Sequence, residues 1–145
     1  MFDRMIVAFD GSEGSKKALK LAAGLQKSCG GELHILTIYR HHSLLEASMS
    51  MVRPEEPVVL DDAMRDHAKE IAEEAKQIAD NEGAGKVRAF VKSGQPARTI
   101  VKFAQDHDAD LIVVGSRGIG DVEGFLLGSV SHKVTSLAAC PVLVV

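Results

Sequence analysis

Only two cysteines occur in the chain, Cys29 and Cys140, and neither belongs to a CxxC pair or a Cys/His cluster with zinc-like spacing. That excludes a disulfide scaffold and a structural zinc site, and two isolated thiols read as reduced packing residues of a cytoplasmic protein. Excess positive charge is also missing, the formal net charge being −3. A mildly acidic chain has no general attraction for DNA, RNA or anionic lipid, so no nucleic-acid partner is expected. No apolar run approaches the ~20 residues that cross a bilayer, so no membrane partner is expected either. The opening residues Met1-Phe2-Asp3-Arg4-Met5 enter a strand-like run at once, without the basic and long apolar stretches of a secretion signal. Internal repeats and low-complexity segments are absent.

Three catalytic or cofactor signatures are missing too. No Gly-x-x-x-x-Gly-Lys-Ser/Thr segment is present, which excludes an ordinary P-loop. Gly118-Ile119-Gly120 fails the dinucleotide fingerprint, its third glycine being displaced and the acidic partner missing. Gly11-Ser12-Glu13-Gly14-Ser15 lacks the Gly-x-Ser-x-Gly spacing of a nucleophile elbow and reads as a turn followed by a helix cap. His41-His42 has no nearby carboxylate or thiol to complete a metal set and reads as exposed loop. His132 and Lys133, early in the last helix, are candidates for a phosphate contact or for plain surface exposure.

What is present is a regular alternation. Short β-branched runs at Met5–Phe9, Leu33–Tyr39, Lys86–Val91, Leu111–Val114 and Pro141–Val145 read as buried strands. Between them lie helical patterns. Ser12 is the expected cap of the first and Gly30-Gly31 its stop. A long helix shows a face at Leu60, Met64, His67, Ala68, Ile71, Ala75, Ile78 and Ala79, with Asp61-Asp62 expected to open it. Further helices are expected after Pro96 and over Ser129–Leu137. His41 to Pro57 reads as a long loop, with a short helix around Leu44–Met49.

Strands alternating with helices imply an α/β fold: one open, five-stranded parallel sheet covered by helices on both faces. Right-handed crossovers predict the strand order 3-2-1-4-5, within a single domain spanning 1–145. Ligands of such sheets bind beyond the carboxyl ends of the strands, where the order reverses. Two polar loops are expected there, Asp10-Gly11-Ser12 and Gly115-Ser116-Arg117-Gly118. Gly115, Gly118, Gly128 and Ser129 can build a phosphate cradle from main-chain amides and a helix end. Arg117 is the cation within the glycine loop and a candidate phosphate contact.

Gly115-x2-Gly118-x9-Gly128-Ser129, set between Met5–Glu13 and Cys140–Val145, resembles the ATP-binding signature of the universal stress protein family. The resemblance covers essentially the whole chain. It implies a Rossmann-like, adenine nucleotide α-hydrolase-like fold and a stress-response role as an ATP-dependent sensor or regulator. It implies roles by position. Asp10 would lie beside the nucleoside as a candidate Mg²⁺ ligand, and the Ile38 backbone would meet the adenine edge. Gly115 would lie at the ribose. Gly118, Gly128, Ser129, Val130 and Ser131 would hold the phosphates, the two serines with hydroxyls as well as amides. AMP or ADP are the alternatives to ATP as working ligand. Little intrinsic hydrolysis is expected, because no specific base or lysine is available for it. An adenine-nucleotide α-hydrolase-type enzyme is the alternative, though Asp10–Ser15 departs from the Ser-Gly-Gly-x-Asp-Ser loop of such enzymes. Asp121 and Glu123 are a departure from the family pattern. A carboxylate ~8 Å from a phosphate charge costs roughly 2 kcal/mol at an effective dielectric near 20, so both are expected to face outward. Val142–Val145 would form an apolar sheet edge, and pairing with a second copy predicts a homodimer. The downstream protein partner is not legible.

Overall fold

The computed structural model describes residues 1–40, 57–118 and 127–145. His41-His42, the Leu44–Met49 helix, Asp121 and Glu123 lie outside the described residues. Within them the strands are β1 (Arg4–Ala8), β2 (Glu32–Tyr39), β3 (Val87–Ser93), β4 (Leu111–Val114) and β5 (Val142–Val144). The helices are α1 (Glu13–Cys29), α2 (Pro57–Asn81), α3 (Pro96–Asp106) and α4 (Ser129–Leu137). All pairings are parallel. The sheet order is β3-β2-β1-β4-β5, as the crossover argument predicts.

Successive strand residues point to opposite faces, so the two-residue period sorts the core into two layers. Met5, Val7, Leu33, Ile35, Leu111 and Val113 are buried on the face covered by α1 and α2. Ile6, Leu36, Ile112 and Val114 are buried on the other, against Ala97, Ile100 and Phe103 of α3 and Val134 of α4. Because both faces are covered, the strands need to be apolar throughout, at about 1.5–3 kcal/mol for each large side chain buried.

Helix ends follow local chemistry. Ser12 caps α1, its Oγ accepting from the Ser15 amide at 3.2 Å. Gly30 ends α1 in the left-handed region, φ 76°, where a Cβ would be strained. Gln95 caps α3 through the Arg98 amide, with Pro96 at the first helical position. One boundary departs from expectation. α2 starts at Pro57, so Asp61-Asp62 sit inside the helix and do not open it. Proline is suited to a first turn, where its missing N–H removes no helical bond. The buried face of α2 is Ala68, Ala72, Ala75 and Ala79, while the His67 side chain is exposed.

Both cysteines are free and half-buried. Burial pushes the Cys140 thiol up, which makes it a poorer nucleophile. Among the described residues no helix is long and apolar enough to cross a membrane.

His34 on β2 is 2% exposed, inside the α3 layer. Its ring packs 5.2 Å from that of Phe90 and 5.7 Å from that of His107. Among the described residues neither ring nitrogen has a hydrogen-bond partner. Glu32 Oε2 lies 3.3 Å from Nε2 and is held by Arg4 Nε at 3.2 Å. Burial therefore holds the imidazole pKa below its ordinary 6.5, against the pull of Glu32. The native state keeps the ring neutral while an unfolded chain takes the proton near 6.5. Stability is thus full above that pH and falls as pH drops from it toward the folded value. Melting temperature is expected to decline between pH 7 and pH 5, and His34→Leu to flatten that decline. An unchanged pH slope in the variant would count against this account.

Candidate functional site

β1 lies between β2 and β4, so the chain leaves it in opposite directions on its two sides. The loops after β1 and β4 border a cleft of about 350 Å³ there. Such switch points are where open parallel sheets take ligands.

The loop after β1 is a closed hydrogen-bonded turn. Asp10 Oδ1 accepts from the Ser12 amide at 2.9 Å and from Ser12 Oγ at 2.5 Å. Ser15 Oγ donates to the Ser12 carbonyl at 2.9 Å. Gly11 carries φ 85°, a conformation side chains disfavour. These bonds hold the Asp10 carboxylate, Ser12 and Ser15 on one wall of the cleft.

The opposite wall comes from the glycine loop and α4. Gly115, Arg117 and Gly118 line it, with Ser129, Val130 and Ser131 of the first helical turn. Gly128 is the N-cap of α4 and supplies no side-chain cap, unlike Ser12 at α1 and Gln95 at α3. First-turn amides without a cap, together with the helix dipole, favour an anion at that end.

Ile38 also lines the cleft, with Leu36, Pro96 and Ile100. The hollow is therefore two-sided in chemistry. One part is apolar, and the other combines main chain, hydroxyls and charge. Among the described lining residues the charged groups are Asp10, Arg40 and Arg117.

Of the residues singled out from sequence, Asp10, Ser12, Ile38, Gly115, Arg117, Gly118, Ser129, Val130 and Ser131 come together at the cleft. Gly11 and Gly128 are not among the lining residues and serve as a turn and a helix cap next to them in the chain. The structure adds two details to the expected roles. The Ser131 hydroxyl is buried and within donating distance of the Ser116 carbonyl (2.9 Å) and the Gly128 carbonyl (3.1 Å). One O–H committed to the protein's own carbonyls closes the loop onto α4. Gly115 meets the start of α1: a Cβ there would fall 2.7 Å from the Gly14 carbonyl carbon. Gly14 is the reciprocal partner, its own Cβ position being 2.5 Å from the Arg117 oxygen. His132 and Lys133 are exposed and are not among the residues that line the cleft.

Ser15, Arg40, Pro96 and Ile100 line the cleft and were not legible as site residues. Arg40 had a signal. Leu36, Ile38 and Arg40 are spaced by two, and all three reach the same cleft.

An open 3-2-1-4-5 parallel sheet with a glycine loop at its switch point defines an adenine nucleotide α-hydrolase-like α/β protein. Comparison with known proteins narrows this. The chain belongs to the universal stress protein family, whose model matches residues 1–145. It is 39% identical over 148 residues to universal stress protein YxiE of Bacillus subtilis, covering 100% of this chain and 99% of that one. Among solved structures, MJ0577 superposes with a TM-score of 0.84 at 28% identity, covering 100% of this chain and 96% of that one. A universal stress protein in complex with cAMP superposes with a TM-score of 0.72 at 27% identity, covering 99% and 96%.

Proposed function

We propose that the cleft binds an adenine nucleoside phosphate, ATP before ADP or AMP, and that the protein is a cytoplasmic, nucleotide-dependent stress regulator. The observation that carries this is the α4 N-terminus without a side-chain cap, opening onto a cleft with an apolar half. A nucleotide has the matching halves, a flat base and a polyanion. The cAMP complex of a relative supports the adenine class.

In this reading the base lies against Ile38, Pro96 and Ile100. Gly115 lies at the ribose, and the phosphates meet the main chain of Gly118 and the amides of Ser129–Ser131, the Ser116 amide being committed to the Val145 carbonyl. The Ser129 hydroxyl adds a donor, while Ser131 acts through its amide because its hydroxyl is committed elsewhere. Arg117 adds a cation suited to phosphate. Asp10 stands on the facing wall, where a carboxylate can share Mg²⁺ with phosphate oxygens. Turnover demands an oriented water and stabilisation of the leaving phosphate. No lysine is among the described lining residues, so the reading favours holding ATP over consuming it. Self-association through the β5 edge belongs to the same proposal.

Acid extraction of freshly purified protein is expected to release ATP, ADP or AMP. Calorimetric titration of the stripped protein with ATP and Mg²⁺ is expected to restore binding with slow hydrolysis at most. Protein that carries no adenylate and shows no heat with ATP, ADP or AMP would overturn the proposal.

A further inference from the structure

β3 lies at the rim of the sheet, paired with β2 alone among the described strands. None of its residues reaches the burial of β1 or β4. Register sets Arg88 beside His34, Phe90 beside Leu36 and Lys92 beside Ile38, so these three face the α3 layer. The Arg88 guanidinium stands 5.2 Å from the centre of the Phe90 ring. Across a groove of about 340 Å³ from Lys92, α3 presents Arg98 and Lys102 one turn apart. Arg88, Lys92 and Arg98 are exposed, and Lys102 is tied at 2.9 Å to Asp106, the groove's single carboxylate among the described residues. Four cations gather on one rim of a chain whose net charge is −3.

A rim strand offers backbone N–H and C=O groups that lack a strand partner. Lysine and arginine on such a strand oppose pairing with a second copy, because like charges would meet across the ladder. The same charges attract carboxylates. Nucleic acid or anionic lipid could answer the charge but could not pair the backbone, which only another polypeptide strand can do. We propose that the β3 rim and the groove beside α3 form a docking site for an extended acidic segment of a partner protein. The segment adds as a sixth strand, with Asp or Glu at alternate positions facing Arg88, Lys92, Arg98 and Lys102. The site uses none of the cleft's charged residues and does not depend on what the cleft binds.

The test uses the full chain and a fluorescent synthetic peptide alternating glutamate with threonine. Anisotropy is expected to show binding that weakens with salt. The Arg98→Glu/Lys102→Glu double variant is expected to weaken it about tenfold, as loss of two ion pairs in a shared groove allows. Both positions are on the surface, and circular dichroism checks that the fold is kept. N-methylation of alternate peptide amides is expected to abolish binding by removing the strand bonds. Three results would overturn the proposal: no binding of the acidic peptide, equal binding of its lysine–threonine counterpart, or undiminished binding of the N-methylated peptide. Tighter binding of a single-stranded oligonucleotide or phosphatidylglycerol vesicles, lost in the same variant, would reassign the patch and overturn it as well.

Discussion

Gly115→Val is expected to abolish nucleotide binding and to lower folding stability by roughly 3 kcal/mol, the upper range for forced overpacking. The first atom of any side chain at 115 would stand 2.7 Å from the carbonyl carbon of Gly14 and 2.9 Å from its oxygen. Both obstacles are backbone, so no rotamer change relieves them. The start of α1 must move, and it carries Ser12, Ser15 and the turn that holds Asp10. Both walls of the cleft are therefore disturbed by one substitution. Gly24→Ala is the control. It lies within α1 with nothing within 4 Å of the added carbon. It is expected to leave stability unchanged or raise it by up to about 1 kcal/mol. Urea unfolding and ATP titration of the two variants check the contrast. Gly115→Val with a wild-type midpoint would show that the approach of loop and helix is not constraining.

If the protein pairs through β5 as proposed, removing Val142–Val145 is expected to leave monomer or aggregate in place of the homodimer, read by light scattering after size exclusion. Val142, Leu143, Val144 and Val145 are half-buried and pack into both core layers. Without them β4, buried along its whole length, becomes an edge. Two main-chain bonds also vanish, Val145 N–H to the Val114 carbonyl (2.9 Å) and Ser116 N–H to the Val145 carbonyl (2.8 Å). Each contributes about 1 kcal/mol. An unchanged dimer after the deletion would reject β5 as the interface.

Much of this architecture is legible in the sequence because its signals are local. Apolar runs such as Leu111–Val114 are too short for helices and too continuous for a half-exposed sheet, which leaves buried parallel strands. The cap at Ser12 and the stop at Gly30 are chemistry within one turn. Strand order follows from connection handedness, and strand order places the cleft. The features that escaped depend on contacts far along the chain. Gly14 looks like an ordinary helix residue until Arg117, about a hundred positions later, is seen against it. The Ser131 hydroxyl reads as a free donor until the Ser116 carbonyl is placed beside it. His34 escapes for another reason. A two-residue alternation separates the faces of a strand but carries no information on whether a polar side chain's face is covered. Pro57 as the start of α2 was obscured because the apolar periodicity begins only at Leu60.

Ser116 is the residue at which separate parts of the molecule converge. Its carbonyl accepts from the Gly128 amide and the Ser131 hydroxyl, and its amide donates to Val145. Loop, last helix and terminal strand are thereby tethered to one position beside Gly115. Strain entering from the terminal strand has a route of a single residue to the Gly115 side of the cleft. If a second copy seats on that strand, occupancy and assembly become linked quantities, and each must change the other's equilibrium by the same factor. Apparent ligand affinity would then vary with protein concentration.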